Sequence, residues 1–168
     1  GRQGAEVVRV EAEWGRAIAP ERLIAALDGG AQALFVVHGE TSTGVCQPLD
    51  GLAAACREHD ALLLVDCVTS LAGQELHVDA MGIDAAFSGT QKCLNAPPGL
   101  APFTLGERAA AKLRGRSAPG RSWYFDLALV LQYWDAPEGA PRAYHHTAPI
   151  NLIYALRERS EEHTSELQ

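Results

Sequence analysis

The sequence predicts an α/β domain built on a mainly parallel sheet. Two observations predict it. Short, continuous apolar runs recur at Ala33–Val37 (ALFVV) and Ala61–Val65 (ALLLV), with helical stretches before and between them. A polar segment follows each run directly, and another follows the strand-like stretch Asp84–Ser88. Strands that alternate with helices in this order pair in parallel, with the helices as crossovers.

The elements follow in chain order. Val7–Glu13 (VVRVEAE) alternates apolar and charged residues, the pattern of a half-exposed strand. Pro20-Glu21 opens a helix with Leu23, Ile24 and Leu27 on one face, and Gly29-Gly30 ends it. Ala33–Val37 reads as a strand covered on both faces, because no position in it is polar. The polar loop His38–Gly44 comes next, then a helix over Leu49–His59 that starts near Asp50. Ala61–Val65 is a second buried strand, ending at Asp66. Asp84–Ser88 is a third, running into Ser-Gly-Thr-Gln-Lys, and Gly99–Leu105 is a fourth. Helices are expected at about 106–114, 124–133 and 149–158. There is no internal repeat and no low-complexity linker.

Composition bounds the function classes. With 168 residues the chain suits one domain, and 47% hydrophobic against 21% charged residues argues against wholesale disorder. A formal net charge of −7, with no Lys/Arg block, disfavours nucleic acid and anionic membrane surfaces as partners. The apolar runs are too short to cross a bilayer, and no secretory signal opens the chain. Cys46, Cys56, Cys67 and Cys93 form no CxxC pair and no zinc-like spacing, so buried free thiols are expected. That points to an intracellular, reducing compartment: cytoplasmic, with peroxisome and mitochondrion left open. The last ten residues, Arg159–Gln168 (RSEEHTSELQ), read like a translated sequencing adapter. They are expected to be a non-native tail outside the fold, which leaves 1–158 as the domain.

In parallel α/β sheets, ligands bind beyond the carboxyl ends of the strands. His38–Gly44, Asp66–Ser70 and Ser88–Lys92 all fall there. Asp66 at a strand end is either a turn cap or a functional carboxylate. Lys92 is either a solvated surface residue or a fixed amine, since the stiff turn Asn95–Gly99 follows it. A buried Lys there would lose its proton easily and serve as a nucleophile. His38 and Glu40 have the look of an acid–base pair but read as loop-shaping residues. His145–His146 lacks a third metal ligand at suitable spacing, so packing or an interface is the expected role. No dinucleotide or P-loop glycine motif is present.

The segments His38–Asp50 (HGETSTGVCQPLD), Leu62–Ser70 (LLLVDCVTS), Gly82–Gly99 (GIDAAFSGTQKCLNAPPG) and Arg142–Pro149 (RAYHHTAP) together resemble the class V, fold type I aminotransferases. Within them, the likeness is to enzymes acting between alanine or serine and glyoxylate or pyruvate. The resemblance runs from about Val7 to Glu158. It implies part of a large domain, a three-layer sandwich around a mainly parallel sheet, with pyridoxal 5′-phosphate as cofactor. It implies Lys92 as the catalytic Schiff-base lysine and mover of the substrate proton, and Asp66 as partner of the pyridine nitrogen, where a carboxylate keeps that nitrogen protonated. Val68 would pack on the ring, Thr41 would lie near the phenolic oxygen, and Gln91 near the phosphate. Tyr144 and Thr147 would reach the phosphate of a neighbouring subunit's cofactor in a homodimer. Each has a blander reading: a loop turn for Thr41, backbone hydrogen bonds for Gln91.

The resemblance also implies parts that cannot be placed in this sequence. These are a glycine-containing phosphate loop, a stacking aromatic ring, and an Arg that clamps the substrate carboxylate. Transamination by a ping-pong route, with a small amino acid and a 2-oxo acid as substrates, is the leading expectation. A cysteine desulfurase-like enzyme is the runner-up; Cys67 and Cys93 touch the motifs but read as fillers of small-residue positions. The third possibility is an inactive module whose only property is self-association.

Overall fold

The computed structural model describes residues 4–134, 136, 138–141 and 143–166, the last five as backbone only. Arg142, in one of the segments quoted above, lies outside the described residues. Helix α1 (Pro20–Ala25) runs into a single 3-10 turn, Ala26–Gly29. Pro20 sits in its first turn, where its missing N–H costs nothing. Gly30 then takes φ 79°, a left-handed stop that a Cβ would strain. The strands are β1 (Ala33–Val37), β2 (Leu62–Asp66), β3 (Ala85–Phe87) and β4 (Phe103–Leu105). The remaining helices are α2 (Leu52–Glu58), α3 (Glu107–Arg114), α4 (Leu127–Trp134) and α5 (Ile150–Glu166).

The four strands form one sheet in the order β1-β2-β3-β4. β1, β2 and β3 are parallel, and β4 pairs antiparallel with β3. The mainly parallel α/β architecture expected from the sequence is the one observed. The apolar cluster lies between the sheet and its helices: Leu23 of α1, Leu27 of the 3-10 turn, Leu52, Ala55 and Cys56 of α2, and Leu34, Val36, Leu63 and Val65 of the strands.

The strands are not covered on both faces, as the unbroken apolar runs suggested. In β1, Leu34 and Val36 are buried while Ala33, Phe35 and Val37 are exposed. Phe87 and Phe103 are exposed too, and Phe87 stacks on Phe35 with centroids 6.2 Å apart. The described residues thus supply two of the three expected layers, the sheet and one helical layer. A run without polar positions says that both faces suit burial, not that both covers lie in the same stretch of chain.

Val7–Glu13 is not a strand. The segment makes no ladder among the described residues. An open cleft of about 950 Å³, lined by Val7, Val8, Trp14, Phe35 and Val37 among others, lies between it and β1. A strand needs a partner for its backbone groups, and periodicity alone cannot show that one is in reach. The helix boundary expected at Glu158 is also absent. α5 runs on through the supposed tail to Glu166, with Arg157 paired to Glu161 one turn on at 2.7 Å and Ser160 Oγ donating to Leu156 O. Such an exposed i,i+4 pair adds about 0.2–0.5 kcal/mol to a helix.

A buried ion pair fixes the start of β3. Asp84 is 5% exposed and takes two bonds from Arg108 Nη1 of α3, at 3.0 and 2.8 Å, and one from Leu63 N at 2.8 Å. Arg108 Nη2 also donates to Ala61 O, so a single guanidinium ties α3 to both β2 and β3.

Candidate active site

Three parallel strands end level with one another. Val37 pairs with Asp66, and Asp66 pairs with Phe87. The loops that leave these three residues carry Thr41, Asp66–Ser70 and Ser88–Lys92. The register of a small sheet therefore brings together residues that lie far apart in the chain.

Asp66 is half-buried. Its Oδ1 accepts from Val68 N at 2.9 Å, which curls the chain after β2 into a turn and sets Val68 beside the carboxylate. Among the described residues no Lys or Arg pairs with it. Lys92 is exposed and likewise makes no ion pair among the described residues. Its loop is nevertheless bonded at several points. Asn95 takes φ 50° and donates to Lys92 O, Ala96 N donates to Thr90 O, and the fully buried Thr90 donates through Oγ1 to Pro97 O at 2.6 Å. The stiff turn expected over Asn95–Gly99 is present, held by Thr90 as much as by the prolines.

Gln91 folds back over Gly89, where a Cβ would meet its Oε1 at 2.9 Å, and it makes no hydrogen bond among the described residues. Thr41 is exposed in the turn whose corner is built by Glu40, which accepts from Ser42 N and Ser42 Oγ at 2.9 and 2.7 Å. The Ser42 N–H, and then its hydroxyl, hold the Glu40 carboxyl below the usual range, the wrong direction for a general acid. Tyr144 and Thr147 are both exposed, and their hydroxyls bond each other. His145 and His146 pack on Trp123 and Tyr124, with Trp123–His145 centroids 4.5 Å apart, which fits the packing role expected of them.

The loops are stitched to one another by contacts that the sequence reading did not find. His38 Nδ1 lies 2.9 Å from Ser70 Oγ, its Nε2 lies 3.4 Å from Cys46 Sγ, and its backbone N donates to Asp66 O. Thr69 Oγ1 donates to Gly39 O, and Cys93 Sγ donates to Thr69 O at 3.3 Å. Cys93 is thus more than a filler. Ser88 Oγ donates to Cys67 O, and Cys67 Sγ to Phe87 O. Burial, then the nearby Asp66 charge, push the Cys67 thiol upward, away from the thiolate that a desulfurase nucleophile needs. The one hint available in the sequence was the density of small polar residues in these loops.

A family model for class-V aminotransferases matches residues 1–163. The chain belongs to the class-V aminotransferase family. Alanine–glyoxylate aminotransferase of Oryctolagus cuniculus is 47% identical over 125 residues, which are 74% of this chain and 32% of that protein. The crystal structure of alanine–glyoxylate aminotransferase from Nostoc sp. superposes with a TM-score of 0.86 at 48% identity, over 94% of this chain and 41% of that one. That of ureidoglycine–glyoxylate aminotransferase from Bacillus subtilis gives 0.90 at 43%, over 98% and 42%. The chain therefore spans about a third to two-fifths of the length of the relatives it matches.

For a class-V aminotransferase the cofactor is pyridoxal 5′-phosphate. The donor set fits that group. A half-buried carboxylate with no cation partner among the described residues suits a protonated ring nitrogen, and an amine with no ion pair among them suits the aldehyde. An exposed hydroxyl and an exposed amide at Thr41 and Gln91 suit the cofactor's oxygens.

Proposed function

We propose that the protein carrying this chain transfers an amino group between a small amino acid, alanine or serine, and a 2-oxo acid such as glyoxylate. The observation that carries the reading is the level ending of β1, β2 and β3, which puts Asp66 and the Lys92 loop at adjacent parallel strand ends. Relatives named for transfer to glyoxylate, at 40–48% identity, support the acceptor. The bound cofactor supplies an electron sink for the bond broken at the substrate's α-carbon.

Each residue has its task in this reading. Lys92 anchors the cofactor through its amine and then carries the substrate proton on Nζ. Asp66, held by Val68 N, would partner the ring nitrogen and keep it protonated. Val68 would pack against the ring, Thr41 would donate to the phenolic oxygen, and Gln91 would serve the phosphate. Tyr144 and Thr147 extend to the phosphate of a second copy, so the working unit is a homodimer. Their exposure, with hydroxyls that among the described residues bond only each other, supports that assignment.

The test is an alanine-plus-glyoxylate assay on the full-length protein loaded with pyridoxal phosphate. Pyruvate should form with ping-pong kinetics, seen as parallel lines in double-reciprocal plots. Sulfide or alanine released from cysteine, with no pyruvate from alanine, would overturn the assignment.

A further inference from the structure

We propose that His38 is a positioning residue that sets Asp66 and Val68 against the cofactor, acting through its Nδ1 bond to Ser70. The inference rests on the proposed function, since it concerns how the cofactor's ring partners are held. Nothing in the resemblance assigns His38 or Ser70 a part.

The argument starts from where His38 sits. It is the first residue beyond β1, it is 5% exposed, and its backbone is bonded on both sides: its N donates to Asp66 O, and Gln47 N donates to its O, each at 2.8 Å. The main chain therefore fixes the base of the side chain. The ring then spans the space between two loops, with Ser70 on Nδ1 and Cys46 on Nε2.

Ser70 is 2% exposed and closes the turn that Asp66 opens. Its N donates to Cys67 O, and its O accepts from Gly73 N and Gln74 N. The turn 66–70 is thus gripped at both ends: at Asp66 by the ladder and at Ser70 by the imidazole. Between these grips lie the Asp66 carboxylate and Val68, the two groups assigned to the cofactor ring. Thr69 bonds Gly39 O from the same turn, and a Cβ on Gly39 would meet Thr69 Oγ1 at 2.8 Å and Ser70 Cβ at 3.2 Å. The β1 and β2 loops are in contact here, and a shift of the His38 ring moves the turn.

Imidazole suits the task because it is a rigid spacer with a hydrogen-bonding atom on each side, and neutral imidazole donates from one and accepts at the other. Burial favours that neutral form, pushing the His38 pKa below its ordinary value. Of the two bonds, the one to Ser70 is short and buried, whereas the one to sulfur is long and weak, and Cys46 is exposed. The positioning effect therefore runs through Nδ1.

Isosteric amides separate the two edges. Asn places an amide near the Nδ1 position, while Gln places one near Nε2. The experiment measures the dissociation constant for pyridoxal 5′-phosphate and the visible absorption band of the bound cofactor in full-length protein, beside the thermal midpoint of the cofactor-free form. His38→Gln and Ser70→Ala should each weaken binding about tenfold, the scale of one lost buried hydrogen bond, and shift the band. His38→Asn should restore binding to within about threefold of wild type, and Cys46→Ala should change nothing.

Equal losses in His38→Asn and His38→Gln that follow the thermal midpoints would show a packing role only and overturn the inference. So would unchanged binding in Ser70→Ala. A wild-type protein that binds no pyridoxal phosphate would overturn the proposed function and this inference together, whereas wild-type binding with either of the preceding patterns overturns this inference alone.

Discussion

Removing the Arg108 guanidinium tests how firmly the start of β3 is anchored. Asp84 lies directly before β3, the strand whose end launches the Lys92 loop. Its carboxylate is 5% exposed and holds three bonds, two of them from Arg108 Nη1. Arg108→Ala leaves the charge buried with Leu63 N as its remaining donor and strips the bond to Ala61 O. Breaking a fully sealed pair in this way costs about 3–5 kcal/mol. Here the Arg108 side chain is 32% exposed, so water enters the vacated space and rehydrates Oδ1. The expected loss is therefore lower, about 2–3 kcal/mol. For a chain of this size that is a fall in thermal midpoint of roughly 5–10 °C. Arg108→Met combined with Asp84→Asn removes the stranded charge, while the amide oxygen introduced still accepts from Leu63 N. The double variant should recover about half the loss. Urea melts of the three proteins, followed by far-ultraviolet circular dichroism, give the numbers. A loss below about 0.5 kcal/mol in Arg108→Ala, or a double variant no more stable than the single one, would refute the reasoning.

Lys92→Ala in the full-length protein should abolish the borohydride-trapped adduct with pyridoxal phosphate; an adduct that maps by mass spectrometry to Lys112 instead would contradict the assignment. Asp66→Asn should retain bound cofactor but slow the proton-transfer step by about two orders of magnitude or more, as the electron sink weakens, and near-normal single-turnover rates would count against it. Gly39→Ala should cost about 1–3 kcal/mol, because the new methyl group drives into Thr69 and Ser70; a melt within error of wild type would show that the two loops part freely. The 168-residue chain made alone should not sustain pyruvate formation and should bind hydrophobic dyes, given the bare face with Phe35, Phe87 and Phe103. Sustained turnover that is lost on Lys92→Ala would show a complete site within the chain.

The strand–helix order, the mainly parallel sheet and the family were legible in the sequence alone. The first two follow from local signals: unbroken apolar runs, Pro20 and Gly30 as helix punctuation, and polar segments placed after strands. The family follows from ordered motifs in those same segments. Asp66 and Lys92 could be located too, because a strand's end is visible in the sequence as the place where a run stops. What stayed hidden was anything that needs a second stretch of chain. Val7–Glu13 alternates like a strand yet has no ladder, since pairing depends on what lies beside it. β1 looked covered on both faces, yet Phe35 and Val37 are bare, since covers come from elsewhere in the fold. The expected break at Glu158 is absent: α5 continues to Glu166, and the i,i+4 pair Arg157–Glu161 spans the expected boundary. The stitches among His38, Ser70, Thr69 and Cys93, and the Arg108 pair beneath β3, join residues 24 to 32 positions apart. At that separation no periodicity connects the partners. The register of three parallel strands brings the loop partners within hydrogen-bonding distance, and the antiparallel return of β4 into α3 does the same for Arg108 and Asp84.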